Sequence, residues 1–296
     1  MAKKTKPELA IGGQAVIEGV LMRTTDKYAV AVRQPNGRII VKKEKYVSAT
    51  KKHKLLGWPF VRGIIILGET LALGYKALSY SANQQLEEEM SKKEKKHFKL
   101  YEAISMVIGI GLAILLFKLI PVGVATLFKN MIATSNLAFN LIDGGVKLLI
   151  LILYLLLISL MKDVKRLFQY HGAEHKTVYC YEANKKLSVE KVRKYSTAHP
   201  RCGTTFLLIV IFLSIVFYLF IPLEISFWLK FLIRLPIIFP VAAIAYEWIK
   251  LTGKHPHSII SKVLSAPGLL VQRLTTREPD KNQIEVAIKA LKAVVD

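Results

Sequence analysis

The run Leu137–Met161, LAFNLIDGGVKLLILILYLLLISLM, decides the class of this chain. About 20 apolar residues in a helix cross a hydrocarbon core of roughly 30 Å, and this stretch is long enough to do so. Three further runs resemble it: Ile104–Phe128, Phe206–Pro222 and Phe227–Ile249. The 296 residues are 52% hydrophobic yet carry a formal net charge of +22, so apolar and basic residues must be segregated along the chain. A soluble globular domain does not combine the two properties.

The basic residues also orient the runs. Thirteen Lys and Arg precede Gly57, five lie between Ala82 and Glu102, ten between Lys162 and Cys202, and eight from Lys250 onward. Lys129 to Asn136 holds one and Ile221 to Ser226 none. Cytoplasmic flanks carry the excess of Lys and Arg, so the two poor segments are the outside loops and the others are inside. The expected location is the plasma membrane, multi-pass, with both termini cytoplasmic. The basic start, Met1 to Pro7, leads into Ile11-Gly12-Gly13-Gln14 rather than an apolar stretch, which argues against a cleaved signal peptide. The expected partner is a bilayer with anionic headgroups, with room left for a homo-oligomer. No nucleic acid is expected, because the charge is spread over every inner segment as topology requires.

Parity argues against counting Trp58–Tyr80 among the spans, since both its flanks are basic; the alternative is a fifth span with a buried charged face. Its Arg62, Glu69 and Lys76 recur every seven residues, a polar stripe on a helix opposite Ile65, Ile66, Leu71 and Leu73. That pattern suits an interfacial or re-entrant amphipathic helix. Within the spans, Lys118 and Lys129, and the pair Asp143 and Lys147, lie near the outer ends, where long side chains snorkel. Lys230 and Arg234 precede Pro236 and Pro240, which predict a kink, and the freed carbonyls with Arg234 would line a cavity.

Around Pro35-Asn36-Gly37 two β-branched or alternating runs, from Tyr28 to Tyr46, predict a β-hairpin. Gln84 to Lys99 reads as a solvated helix, acidic at its start and basic at its end. Pro279 to Val295 places Ile284, Val286, Ala287, Ala290, Leu291 and Val294 on one face, an amphipathic helix.

The expected fold is therefore an α-helical integral membrane protein. It has four transmembrane helices, an interfacial or re-entrant helix, a small N-terminal β-hairpin element and a cytoplasmic C-terminal amphipathic helix. The division is 1–57 β element; 58–81 interfacial or re-entrant helix; 82–102 charged segment; 103–161 first transmembrane hairpin; 162–203 cytoplasmic loop; 204–249 second transmembrane hairpin; 250–296 cytoplasmic tail.

The loop between the hairpins concentrates reactive side chains: Tyr170-His171-Gly172-Ala173-Glu174-His175-Lys176, then Cys180 and Glu182, then His199-Pro200-Arg201-Cys202-Gly203. His171 and His175 are four apart, so a helix projects both from one face, with Glu174 beside them. Formally this is H-x-x-E-H, in which the glutamate activates a metal-bound water. His199 and Cys202 add two more soft or borderline donors. The competing reading makes the histidines helix caps or phosphate contacts and Cys202 a small core residue. The two cysteines, Cys180 and Cys202, cannot build a disulfide scaffold and are expected as free thiols or metal ligands. His255 and His257 suit the interface better than a site. Gly12 to Arg23 is rich in glycine and offers Glu18 as an acid, base or ligand, or else is a plain tight turn.

The segments GGQAVIEGVLMR, YHGAEHKTVYCYE, HPRCGTTF, AYEWIK and APGLLVQRLTTREPDKNQIEVAI, in this order, resemble the YqhQ-like family of bacterial multi-pass membrane proteins, a domain of unknown function. Leu21 stands where the family's motif leads one to expect methionine. The resemblance implies a metal-dependent enzyme without assigning a reaction. Carried onto this sequence, it singles out His171, Glu174, His175, His199, Cys202 and Glu18.

The leading expectation is a cytoplasm-facing, metal-dependent enzyme of the hydrolase type. Zinc or another divalent transition metal would be held by His171, His175, His199 and Cys202, with Glu174 as general base and Glu18 alongside. The rival is a non-enzymatic scaffold or transporter-like protein with a structural metal or a partner site. A closed four-ligand shell favours the rival, and three ligands with an open position favour catalysis.

Overall fold

A computed structural model describes residues 11–85, 92–129, 135–254 and 258–296. Four strands come first: β1 Gly12–Val16, β2 Gly19–Arg23, β3 Lys27–Arg33 and β4 Ile39–Lys45. Twelve helices follow among the described residues: α1 Ala49–Lys52, α2 Val61–Gln85, α3 Lys92–Ile114, α4 Ile120–Leu127, α5 Asn136–Ser159, α6 Lys162–Glu182, α7 Val189–Val192, α8 Gly203–Tyr218, α9 Phe227–Arg234, α10 Ile238–Lys254, α11 Ile259–Thr275 and α12 Lys281–Val295. They form two compact units, one of residues up to 86, 158–202 and 269–296, the other of 87–157 and 203–268.

In the first unit the strands make an antiparallel meander in the order β1-β2-β3-β4. The expected hairpin is β3-β4, and its turn holds Gly37 at φ +84°. It belongs to a larger sheet, because the glycine-rich segment at 12–23 is itself a hairpin turning at Ile17-Glu18. Alternation sends Val20, Met22, Ala29 and Ala31 to one face and Leu21, Tyr28, Val30 and Val32 to the other. Both faces are covered. On the first lie Tyr170, Ala173 and Val178 of α6 and Ile284, Ala287 and Leu291 of α12. The apolar stripe read at 279–295 is fully buried there, and Asp280 starts α12 with a capping box to Gln283.

On the other face lie Leu73 and Ala77 of α2. The seven-residue stripe of that helix splits between environments. Glu69 turns onto the chain that follows β4, accepting from Tyr46 Oη at 2.5 Å, Ser48 Oγ at 2.7 Å and the Ala49 N–H at 2.7 Å. Lys76 is exposed, and so is Leu71, whereas Leu73 packs on the sheet. Leu55, Trp58, Phe60 and Val61 are exposed around the start of α2.

The second unit carries the apolar helices. Ala103–Leu127 and Asn136–Ser159 are each long and apolar enough to cross a membrane. Phe227–Arg234 and Ile238–Gly253 qualify together as one span broken by a 43° bend, at the place where Pro236 and Pro240 predict a kink. The expected third span is shorter than its apolar run: α8 ends at Tyr218 after 16 residues, about 24 Å at 1.5 Å per residue. Among the described residues the count by length and composition is thus two, or three with the bent pair, against the four expected. The Ala103–Leu127 span contains a π-helical turn at Leu115–Leu119, between α3 and α4. The run Gln84–Lys99 lies partly outside the described residues, and its backbone is helical from Lys92.

Candidate metal centre

Helix α6 carries the first two donors. His171 and His175 are one turn apart, and their ring centroids are 4.4 Å from each other. Cys202 arrives from the loop that follows α7, where its N–H bonds the His199 carbonyl at 3.2 Å. The ligating atoms of His171, His175 and Cys202 all lie within 4.8 Å of one another, and Cys202 Sγ is 3.3 Å from His171 Nε2. Donors at about 2.0 to 2.3 Å on a tetrahedral ion stand roughly 3.3 to 3.8 Å apart, so a small closure would complete three corners.

The hydrogen bonds fix which nitrogen is available. His171 Nδ1 lies 2.8 Å from the Thr275 carbonyl, and His175 Nδ1 lies 2.5 Å from the Thr197 carbonyl. A carbonyl can only accept, so each Nδ1 carries the proton and Nε2 is the nitrogen left to offer a lone pair. This is the outer-shell pattern of metal-ligating histidines. Burial holds His175 below the usual imidazole range and so favours the neutral, donating form.

His199 is built the other way round. Its Nδ1 accepts the Arg201 N–H at 3.2 Å, and its Nε2 lies 3.4 Å from Glu182 Oε2, which an N–H there satisfies. Both nitrogens are thus engaged. The ring stacks 4.4 Å from Tyr179, and Arg201 pairs with Glu182 as well. Buried Gln272 clamps the backbone of His199, accepting from its N–H at 2.7 Å and donating to its carbonyl at 2.8 Å. Among the described residues His199 is not gathered with the three converging donors; it secures the loop that delivers Cys202.

Glu174 is buried, with Oε2 3.4 Å from His175 Nε2. Burial raises its carboxyl above the usual range, and the neighbouring His171, His199 and Arg201 pull it back down only in part. Gly13 of β1 lies so close that a Cβ there would strike the Glu174 side chain. The glycine-rich segment therefore meets the site by backbone, not by its acid. Glu18, at φ 50° in the β1-β2 turn, accepts from Arg166 Nε and Nη2, both at 2.5 Å, and from Tyr170 Oη at 3.2 Å. It lies outside the converging group. Cys180 is buried in the core under the sheet. His255 and His257 lie outside the described residues.

Sequence reasoning missed Thr197, Thr275, Gln272 and Gly13. The two threonines act through main-chain carbonyls, which leave no trace in side-chain identity. Gln272 and Gly13 stand inside motifs quoted above, but only contact reveals their work.

The fold and the cluster define a mostly helical protein with apolar candidate spans, a small antiparallel sheet and a compact His/His/Cys group able to hold a metal ion. The chain belongs to the family described as "Protein of unknown function (DUF1385)", whose model matches residues 58–296. It is 36% identical to "Uncharacterized protein YqhQ" of Bacillus subtilis (strain 168), over 97% of this chain and 92% of that relative. No solved structure matches.

Proposed function

We propose that this is a multi-pass membrane protein of four spans whose cytoplasm-facing unit is a metal-dependent hydrolase, with zinc held by His171, His175 and Cys202. One observation carries the reading. Two imidazoles have committed their Nδ1–H groups to carbonyls and turn their lone pairs toward one thiol. Nitrogen and sulfur donors suit zinc, whereas calcium or magnesium would want oxygens. When bound, such an ion supplies Lewis acidity. Glu174, buried beside His175, takes and returns the proton of the attacking water. His199, Gln272 and Glu182 hold the Cys202 loop in place.

The membrane reading is supported by the apolar surface the helices leave outward, including Val107, Ile108, Leu149 and Leu157, and by the Lys/Arg excess of the inner segments. A second reading has its own observation. Glu174 Oε2 lies at ligand-to-ligand distance from His175 Nε2, and as a fourth donor it would close the shell and make the metal structural.

Metal content separates the two. Detergent-purified wild type should carry about one equivalent of zinc, and His175→Ala or Cys202→Ala should fall toward background, since a two-donor shell is incomplete. Glu174→Gln should keep its zinc if the residue is a base and lose it if a ligand. Wild type holding no stoichiometric transition metal, before or after reconstitution, would sink both readings.

A further inference from the structure

Inside the second unit, a second polar cluster has a charge imbalance that its own residues do not correct. Asp143 is fully buried and accepts from Lys147 Nζ at 2.5 Å and Arg234 Nη1 at 2.7 Å, while Arg234 Nη2 donates to Asn140 Oδ1 at 2.8 Å. Lys230, also buried, donates to the Leu223 carbonyl at 2.6 Å. Lys118 donates to Tyr218 Oη at 2.9 Å. The Tyr218 ring lies under Arg234, Lys147 and Lys118 at 4.3, 4.6 and 5.7 Å, and the Phe139 ring under Lys230 and Arg234 at 5.0 and 5.6 Å. Four cations thus surround one carboxylate. Lys129 and Glu224, 3.6 Å apart, balance each other nearby. Ring faces and carbonyls soften the excess but carry no negative charge.

Two independent features point to a missing anion. The Arg234 Nε–H is buried and has no acceptor among the described residues, although a buried guanidinium N–H normally finds one. Lys118 sits in the π-helical turn at Leu115–Leu119, the kind of insertion that recurs at functional sites and re-aims the side chain it carries.

We propose that this cluster binds a phosphate-bearing anion, with Arg234, Lys230, Lys147 and Lys118 as its cationic wall and Asp143 setting the strength of binding. A phosphate oxygen would satisfy the orphaned Nε–H, and the negative charge of the group would offset part of the excess. The same chemistry is offered by a phospholipid headgroup and by free phosphate.

The test uses the full chain in neutral detergent and in nanodiscs. Native mass spectrometry and thermal unfolding would follow binding of phosphatidylglycerol and of inorganic phosphate, against phosphatidylcholine and chloride. Wild type should retain one phosphate-bearing anion and gain thermal stability from it. Phosphatidylglycerol alone binding would assign a lipid, and phosphate also binding would assign the bare anion. Lys118→Met with Lys230→Met should weaken binding at least tenfold. Asp143→Asn should tighten it, because removing the internal carboxylate leaves more positive charge, whereas a purely structural ion pair predicts only lost stability. Wild type that prefers neither anion over its control overturns the proposal without any variant. So does a folded lysine double variant that binds like wild type, or a folded Asp143→Asn that binds more weakly. The lipid arm rests on reading these helices as spans and the phosphate arm does not, so a failed topology leaves the phosphate result standing.

Discussion

At the scale of single residues, the thiol is the most testable part of the centre. Cys202 faces two imidazole lone pairs, while Cys180 is packed in the core, so only Cys202 should respond to metal. Maleimide labelling of Cys202 should slow when zinc is added to metal-stripped protein and recover with a chelator. Equal labelling in both conditions would refute the shared site. Gly172 makes a second prediction. A Cβ there would strike the Arg277 carbonyl, main chain that cannot swing away, whereas at Gly68 on α2 it would meet nothing within 4 Å. Gly172→Ala should therefore cost about 1 to 3 kcal/mol by overpacking. Gly68→Ala should be neutral or gain up to about 1 kcal/mol from helix propensity. Thermal unfolding in detergent distinguishes the two, and equal effects would count against the close approach.

At the scale of elements, Glu69 joins α2 to the chain leaving the sheet. Burial pushes its carboxyl up, but the bonds from Tyr46, Ala49 and Ser48 outweigh this and hold it below the usual carboxylate range. A lowered folded pKa contributes stability that is present above the unfolded value, about 4.3, and is lost as pH falls through the folded value. Glu69→Gln should cost about 1 to 3 kcal/mol at neutral pH and remove this part of the acid sensitivity below about pH 4. An unchanged acid profile would show the clamp to be idle. Helix α12 supplies the complementary case. Leu291 is wholly buried against the sheet, so Leu291→Ala should cost about 2 to 5 kcal/mol. Lys289, exposed and paired with the partly exposed Glu285 at 3.4 Å, should tolerate Ala within about 0.5 kcal/mol.

At the scale of the whole molecule, the charge asymmetry predicts topology. Reporter fusions after Ser135 and Glu224 should report outside, and those after Gln85, Lys186 and the C-terminus inside. An outside signal at Lys186 would place the His/His/Cys unit on the wrong face and remove the four-span arrangement. The length of α8 makes this measurement decisive: 16 helical residues fall short of a full crossing unless Leu219 to Pro222 and the polar neighbours extend its reach.

What the sequence determined by itself is what repeats locally. Apolar runs near 20 residues, the Asn-Gly turn, the paired prolines of the bent helix and the 3.6-residue stripe of α12 each express their structure within a short window. The i,i+4 spacing of His171 and His175 belongs with them. Tertiary structure alone decided the rest. It gathered Cys202 with His171 and His175, while the Arg201 N–H and Glu182 engage both nitrogens of His199. It turned the Gly12–Arg23 segment into a hairpin whose Gly13 abuts Glu174, 161 positions away in sequence, and it carried Glu18 to Arg166 instead. It also brought Lys118, Lys147, Lys230 and Arg234 around Asp143, although the sequence reads Lys118 and Lys147 as snorkelling cations and only Arg234 as lining a cavity. Periodicity encodes which face of an element is apolar, but not which distant face will meet it, and a main-chain carbonyl that orients a histidine has no residue type to announce it.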